Sequence, residues 1–324
     1  MERNLTSPCS SLQSMHGNRS TRRHRSVLAC MLLSSVWVLP ASAAELQKSP
    51  APTNHRIMIC EYSDSAHRLV EVAPDGKLVW EHKFPSVAVC FRMSGDGSVL
   101  FADGGSPTGV QHVDRSHKVL FDYRAPCEQI LTCERLANGN ILLAEQGPCQ
   151  AVEINVKGEV VSTVKLSTTE KAAHRQVRCV HRLTNGHLLA CHEAEAFVRE
   201  YDGHGKTVWE YPGVTNVFEA LRLPNGNTLI GCGTDKRVIE VSPDKKTVWQ
   251  LTAEDVPELN LSWITSLQVL KNGNFVVANF LRGQEGKGAH AFEVTHDAHK
   301  RIVWKFADHE LVKSITMVFV LDDE

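Results

Sequence analysis

The chain of 324 residues is long enough for one or two globular domains, and its composition is that of an ordinary folded protein. Hydrophobic residues make up 42% and charged residues 22% of it, with a formal net charge of −2, which excludes a disordered or collagen-like chain. Without residues 1–43, which contain five Arg and one Glu, 30 Lys and Arg stand against 36 Asp and Glu, a net charge of −6. That charge argues against nucleic acid as a partner.

The first 43 residues have the features of a secretory signal peptide. Arg22, Arg23 and Arg25 precede the apolar run Val27–Leu39, and small residues follow it. The run is too short to span a bilayer, and this order of segments is typical of export signals. We therefore predict a signal peptide at 1–43, a linker at 44–54 and one domain at 55–324. The mature protein is expected to be secreted or periplasmic, with no membrane span.

A unit of four short apolar segments recurs through the rest of the chain. In its first half an Asn-Gly-type turn joins two segments, and in its second half an Asp-Gly-type turn precedes a segment that usually ends in Val-Trp. Glycine supplies the positive φ of tight hairpin turns, and the flanking Val, Ile, Leu and Trp favour strands. First halves lie at Phe91–Leu100, Cys133–Ala144, His181–Ala190, Leu221–Ile230 and Gln268–Val277. Second halves lie at Arg68–Trp80, Phe197–Trp209, Arg237–Trp249 and Ala291–Trp304.

These units predict an all-β chain that folds as a six-bladed β-propeller of four-stranded antiparallel blades. A single sheet of this kind cannot bury both of its apolar faces, whereas radial stacking buries them. Arg56–Cys60 aligns with the second strands of other units, and Ser314–Asp323 aligns with first strands. We therefore expect the C-terminal strand to pair with the N-terminal blade and close the ring. The alternative is seven blades, with one blade too degenerate to recognise.

Several segments resemble the repeats of the pyrroloquinoline-quinone-like and arylsulfotransferase-like propeller superfamily. They are Gly76-Lys-Leu-Val-Trp80, Gly205-Lys-Thr-Val-Trp209, Leu223-Pro-Asn-Gly-Asn-Thr-Leu229 and Arg237-Val-Ile-Glu-Val-Ser-Pro-Asp244. The resemblance covers nearly all of residues 55–323. It implies a propeller fold and brings in two activities of that superfamily, quinone-dependent oxidation and group transfer by a channel histidine.

One face of the predicted ring carries the variable connections, and function tends to lie on such loops. This loop-rich face comprises Glu61–His67, Gly104–Thr108, Gln146–Gln150, Thr169–Gln176, Glu254–Trp263, Gly283–Gly288 and Asp308–Lys313. The second strand of every blade ends at this face in a polar or metal-competent residue. These residues, the predicted ligand-binding ring, are Glu61, Asp103, Glu145, His192, Cys232 and Asn279. The oxygen ligands Glu61, Asp103, Glu145 and Asn279 could hold a divalent cation such as Ca²⁺ in the central channel.

Eight cysteines remain after residue 43, and most lie in apolar segments, as free buried thiols do. Cys127 and Cys149 are both predicted at the loop-rich face of one blade, so a disulfide between them is an open alternative.

A two-residue turn at Asn185-Gly186 would place Cys179 opposite His192, with His181 on the same face of the sheet. Cys and two His are zinc ligands, but a fourth ligand is missing. A hydrogen-bonded core histidine is therefore the favoured interpretation of His181.

The first functional hypothesis is a protein that binds a small molecule, a glycan or a protein partner on the loop-rich face. The alternative is an enzyme with a channel site. It would be either a cation-dependent hydrolase that resembles six-bladed lactonases or an arylsulfotransferase-like group transferase with His192 as candidate nucleophile. A quinone-dependent oxidoreductase ranks last.

Overall fold

The computed structural model describes residues 55–64, 66–84 and 86–323, so the predicted signal peptide and the whole predicted linker lie outside the described residues. Within these ranges 24 strands form six four-stranded antiparallel sheets. The six-bladed propeller is confirmed, and the seven-bladed alternative is wrong. No helix in the described ranges has the length and apolar character needed to cross a membrane.

The blades follow one another along the chain, except that the last strand returns to the first blade. Blade 1 contains β1 (Ile57–Tyr62), β2 (His67–Val72), β3 (Leu78–Lys83) and β24 (Ile315–Val320). Blade 2 contains β4 (Phe91–Met93), β5 (Val99–Asp103), β6 (Gly109–Val113) and β7 (Val119–Arg124). Blade 3 contains β8 (Gln129–Arg135), β9 (Ile141–Gln146), β10 (Gln150–Ile154) and β11 (Val160–Lys165).

The remaining strands form three blades of the same order. Blade 4 contains β12 (Val177–Arg182), β13 (Leu188–His192), β14 (Phe197–Tyr201) and β15 (Thr207–Pro212). Blade 5 contains β16 (Glu219–Arg222), β17 (Thr228–Gly231), β18 (Arg237–Val241) and β19 (Thr247–Thr252). Blade 6 contains β20 (Trp263–Val269), β21 (Phe275–Phe280), β22 (Ala291–Val294) and β23 (Ile302–Phe306). Two short 3₁₀ turns, Ala173–Arg175 and Pro257–Leu259, lie in the connections.

The ring closes as predicted, through pairing of β24 with β1. Ile57 lies opposite Val320 and Ile59 opposite Val318 in an antiparallel ladder. The N–H of Leu321 donates to the carbonyl of Arg56 at 2.8 Å. The two ends of the domain are therefore held in one sheet.

The first strand of each blade is the innermost one. Five of the six neighbouring pairs among these strands (β24, β4, β8, β12, β16 and β20) are in contact, and the Phe91 N–H of β4 reaches the Met317 sulfur of β24. Fourth strands such as β11 are largely exposed. Side chains of first strands therefore lie nearest the axis, and those of second strands lie one strand spacing, about 4.8 Å, further out.

Neighbouring blades are joined by a repeated contact that we call the interblade clamp. At five of the six junctions a third-strand glutamate, buried except for the half-buried Glu153, accepts a hydrogen bond from an Arg or His side chain of the next blade. Four of these glutamates also accept bonds from Asn side chains of their own Asn-Gly turn, whereas Glu71 accepts one from Arg56. The clamp pairs are Glu71–Arg115, Glu153–Arg182, Glu200–Arg222, Glu240–His296 and Glu293–His55. At the remaining junction His112 replaces the glutamate and contacts Arg135 at 3.2 Å.

Candidate functional site

The predicted ligand-binding ring of second-strand residues does not converge on the axis. Its members are buried, and each is bonded to partners of its own: Glu61 to Arg68 Nε (2.6 Å), Asp103 to Arg124 Nη1 (2.5 Å), Glu145 to Gln150 Nε2 (2.7 Å), His192 to Tyr201 Oη (2.8 Å), Cys232 to the Ile230 carbonyl (3.7 Å) and Asn279 to the Ala289 carbonyl (2.9 Å). Among the described residues, Glu61, Asp103 and Glu145 belong to no metal-competent group of His, Cys, Asp and Glu. The ring residues therefore use their side chains in separate local contacts, and His192 Nδ1 is left buried without a hydrogen-bond partner.

The structure does not contain the alternative disulfide between Cys127 and Cys149, and both are free thiols there. Cys149 packs with Ala151 and Leu166 in the core between blades 3 and 4. Cys127 packs against the cluster that contains Phe101, on the opposite side of blade 3. The sheet therefore separates the two sulfur atoms.

His192 does not lie where a two-residue turn at Asn185-Gly186 would place it. The Gly186 N–H donates to the Leu183 carbonyl, and the Leu183 N–H donates to the His187 carbonyl. The loop thus contains three residues, with Gly186 in the left-handed region (φ 84°). The register moves by one residue and places Cys179 opposite Cys191. A one-residue change reverses the face of every side chain, which removes His192 from Cys179 and His181.

The side chains that do converge come from the first strands. In blades 2 to 6, the first-strand residue that stands five positions before the turn glycine pairs with the second-strand residue three positions after it. The side chains of these first-strand residues therefore lie at the same depth in each blade. These residues are Arg92, Glu134, His181, Leu221 and Gln268, and Phe319 completes the layer in blade 1. Two residues earlier, Cys90, Cys179, Glu219, Ser266 and Met317 form a second layer. We call Arg92, Glu134, Cys179, His181 and Glu219 the axial site.

His181 connects three successive blades at the centre of the axial site. Its Nε2 lies 2.5 Å from Oε1 of Glu219 in blade 5, and its Nδ1 lies 3.4 Å from Oε2 of Glu134 in blade 3. Glu134 also accepts the backbone N–H of Arg182 at 3.0 Å. The imidazole is therefore held between two carboxylates in a fixed orientation.

The local field favours the charged form of His181. Burial alone would lower its pKa, but the Glu219 charge and the hydrogen bonds to Cys179 and Glu134 raise it well above the ordinary value. Burial also opposes ionisation of Glu134, yet the contact with His181 leaves the pKa of that carboxyl lowered. Burial and the neighbouring Cys191 raise the pKa of Cys179, which is a thiol in this state.

Arg92 brings a cation to the same layer. Its Nη1 donates to the Phe91 carbonyl at 2.9 Å and contacts the sulfur atoms of Cys90 and Met317 at 3.3 and 3.5 Å. Burial opposes its charge, but Cys90 and the carboxylates of Glu219 and Glu134 outweigh burial and raise its pKa. Among the described residues no carboxylate forms an ion pair with this guanidinium, so donors remain for a ligand.

Two thiols lie beside Arg92 on adjacent blades. The hydrogen bond with the Cys133 thiol and the charge of Arg92 lower the pKa of Cys90, although burial opposes this. The pKa of Cys133 is raised. Cys90 is thus the more acidic thiol of this pair.

The axial site is reached from the face that carries the Asn-Gly turns. A surface cavity of about 500 Å³ between blades 3 and 4 is lined by Glu134, Arg182 and the turn residues Leu136–Asn138. Glu134 also contacts His181, and 24% of its side-chain surface is exposed, against 13% for His181 and 8% for Glu219. Accessibility therefore decreases from Glu134 towards Glu219.

Sequence reasoning singled out His181 and Cys179 but missed Arg92 and Glu219. The signal was present, since both residues stand at the same distances from the turn glycine as His181 and Cys179, counted from Gly97 and Gly226. In blade 2 the prediction aligned Phe91 with His181, one residue away from Arg92. The turn has the same length as in the other blades, so counting back from Gly97 gives Arg92 as the equivalent residue.

Comparison with known proteins supports the fold and goes no further. No protein-family model and no curated protein matches the sequence. A protein of unknown function from Bacteroides caccae superposes with a TM-score of 0.72 at 23% identity, covering 82% of this chain and 98% of that one. A streptogramin B lyase superposes at 0.55 with 14% identity, covering 78% and 83%. Virginiamycin B lyase from Staphylococcus aureus gives 0.54 with 13% identity over the same shares. The likeness is one of fold alone.

Proposed function

We propose that this protein is an exported propeller that binds a small organic anion in its axial channel. The observation that carries the proposal is Arg92, a guanidinium near the axis with donors that no carboxylate of the described residues uses. Arginine is the side chain best suited to planar carboxylate or phosphate groups, because its donors form a rigid fork.

The residues around Arg92 define the rest of the ligand. Glu134 offers an acceptor at the exposed end of the site, and behind it the imidazole of His181 bridges Glu134 and Glu219. A ligand with one anionic group and at least one hydroxyl or amino group would satisfy both ends. The same groups could transfer a proton to such a molecule, which keeps a channel-site enzyme within this proposal.

The geometry favours the axial channel over the loop-rich face. The residues of the predicted ligand-binding ring at that face, such as Glu61 and Asn279, use their side chains to hold the blades and connections together. Export remains part of the proposal on the strength of the sequence at 1–43.

The test is anion binding by the mature chain and two arginine variants. Calorimetric titration with phosphate, malonate and citrate is compared for wild type, Arg92→Met and Arg92→Lys. Arg237→Met, at the loop-rich end of β18, is the matched control. We expect at least one anion to bind wild type, with a loss of about tenfold or more in Arg92→Met, since a charge-assisted bond contributes about 1.5–3 kcal/mol. Arg92→Lys should retain part of the affinity. Equal affinity in wild type and Arg92→Met, no binding of any anion, or a loss confined to Arg237→Met would refute the proposal.

A further inference from the structure

We infer that Cys179, His181 and Glu219 form a binding site for a zinc-type divalent metal ion in the axial channel. One ligand atom of each residue lies within 4.8 Å of the other two, and this is the one such group of His, Cys, Asp and Glu in the described residues. The inference deepens the proposed function, because the metal would occupy the same channel, but it needs no organic ligand.

The donor set matches the chemistry of zinc. Zn²⁺ takes thiolate, imidazole and carboxylate at about 2.0–2.3 Å in tetrahedral geometry, so its ligand atoms lie about 3.5 Å apart. Atoms gathered within 4.8 Å reach that geometry by small rotamer changes. Calcium and magnesium prefer oxygen atoms alone, so a Cys–His–Glu set selects against them.

The strands fix these ligands without help from a loop. Cys179 and His181 are two residues apart on β12 and therefore point to the same face of the sheet. Glu219 begins β16 in the neighbouring blade, at the depth of Cys179. Cys179 and Glu219 are buried, with 2% and 6% of their surface exposed. The ligands are thus supplied by rigid first strands of two adjacent blades.

Glu134 completes the arrangement behind His181. Metal binding would release the thiol proton of Cys179 and the Nε2 proton of His181 to solvent. With Nε2 directed at the metal, Nδ1 would keep its proton and donate it to the Glu134 carboxylate, which lies 3.4 Å away. Metal-binding histidines almost always donate their second ring N–H in this way, and loss of that partner weakens binding about 10- to 100-fold. A thiolate and one carboxylate balance the charge of the ion, and Arg92 balances Glu134.

Three protein ligands leave the fourth position of a tetrahedral ion open. Zinc sites of this kind hold water or substrate in the open position, whereas structural sites have four protein ligands. The free donors of Arg92 lie in the layer that also holds His181. An anion bound to Arg92 could therefore supply the fourth ligand to the metal ion, so that metal binding and anion binding would involve the same site.

The test uses Zn²⁺ and Co²⁺ alone on the chelator-treated mature chain. Calorimetry measures zinc affinity, and absorbance of the cobalt form reports a sulfur-to-cobalt charge-transfer band and the visible bands of tetrahedral cobalt. We expect one equivalent of zinc at micromolar affinity or better and both spectral features. Cys179→Ser should remove the charge-transfer band, and Glu134→Gln should weaken zinc binding about 10- to 100-fold.

Matched controls separate this site from general thiol chemistry and from misfolding. Cys191→Ser removes the thiol opposite Cys179 and should keep both the affinity and the band. Glu219→Gln, checked by circular dichroism for its fold, should weaken zinc more than Glu145→Gln does. No zinc binding, a cobalt spectrum without the thiolate band, or an unchanged band in Cys179→Ser would overturn the inference. Zinc binding without anion binding would refute only the proposed function, and anion binding to zinc-free protein without zinc uptake would refute only this site.

Discussion

The interblade clamp between blades 5 and 6 predicts a specific loss of stability in Glu240→Gln. Glu240 is 2% exposed and accepts hydrogen bonds from Asn225 Nδ2 at 3.1 Å, Asn227 Nδ2 at 2.5 Å and His296 Nε2 at 2.6 Å. Glutamine keeps the size and one carbonyl oxygen, but it loses the charge and turns an NH₂ group towards donors. Hydrogen bonds to a charged group contribute about 1.5–3 kcal/mol each.

We therefore expect Glu240→Gln to lower the free energy of unfolding by about 2–4 kcal/mol, since at least one such bond is lost and one donor is left buried. The assay is urea unfolding at neutral pH followed by circular dichroism. Glu159→Gln is the matched control, because the Glu159 carboxylate accepts one bond from Asn155 Nδ2 within an exposed turn and such surface changes stay within about 0.5 kcal/mol.

A double-mutant cycle with His296→Gln isolates the contact between the blades. The coupling energy of residues in direct contact is about 0.5–3 kcal/mol. The interactions around Glu240 lower its pKa, so its stabilising effect should be present above the ordinary carboxyl pKa and decrease as the pH falls through the lowered one. A Glu240→Gln protein as stable as Glu159→Gln, or a coupling energy near zero, would refute the clamp as a stabilising contact.

Three further predictions concern a histidine, a glycine and the ring closure. Burial and the neighbouring His309 lower the pKa of His290 to about 4. The unfolded chain therefore binds this proton at a higher pH than the folded chain does, so His290 lowers the stability by up to about 3 kcal/mol as the pH falls from about 6.5 to 4. In urea unfolding, His290→Phe should gain stability relative to wild type at pH 4.5 compared with pH 8, and a constant difference would contradict this. A Cβ at Gly109 would overlap the Tyr123 carbonyl, whereas one at Gly203 meets open space, so thermal melts should show a large loss for Gly109→Ala and almost none for Gly203→Ala, and similar melting temperatures would speak against the tight approach. Deletion of residues 315–324 removes β24 and should abolish cooperative unfolding in urea; a deletion protein that unfolds as sharply as the full chain would be inconsistent with closure by that strand.

The fold was predictable because every blade repeats the same turn chemistry. Positive-φ glycines such as Gly139, Gly226 and Gly273 stand at fixed positions, and each allows only a tight hairpin. The pairing of Ser314–Asp323 with the N-terminal blade followed from alignment alone, since the C-terminal segment lacked the three strands that complete a unit. Repetition of local sequence was therefore enough to determine the architecture.

The axial site was only partly predictable, because register decides which strand faces the channel and which face a side chain occupies. The two-residue and three-residue turns at Asn185-Gly186 differ by one residue, and that residue decides whether Cys179 lies with His192 or with Glu219. Second-strand residues such as Glu145 attract attention in the sequence because they are polar at strand ends. Their contacts with neighbours in three dimensions show that they hold the structure together.

The clamp glutamates could not be assigned from one sequence. Glu240 and Glu293 stand within apolar strands, where a charged residue indicates either function or a buried partner. Their partners, such as His296 and His55, belong to the next blade and are far away along the chain. Only the assembled ring brings them together.

The most direct measurement of the axial site is anomalous X-ray diffraction at the zinc edge from crystals of the mature chain equilibrated with zinc. The account predicts one strong peak near the propeller axis, about 2.0–2.3 Å from Cys179 Sγ, His181 Nε2 and a Glu219 oxygen. A map without a peak at the axis, or with its strongest peak among Glu61, Asp103 and Glu145 at the loop-rich face, would contradict it.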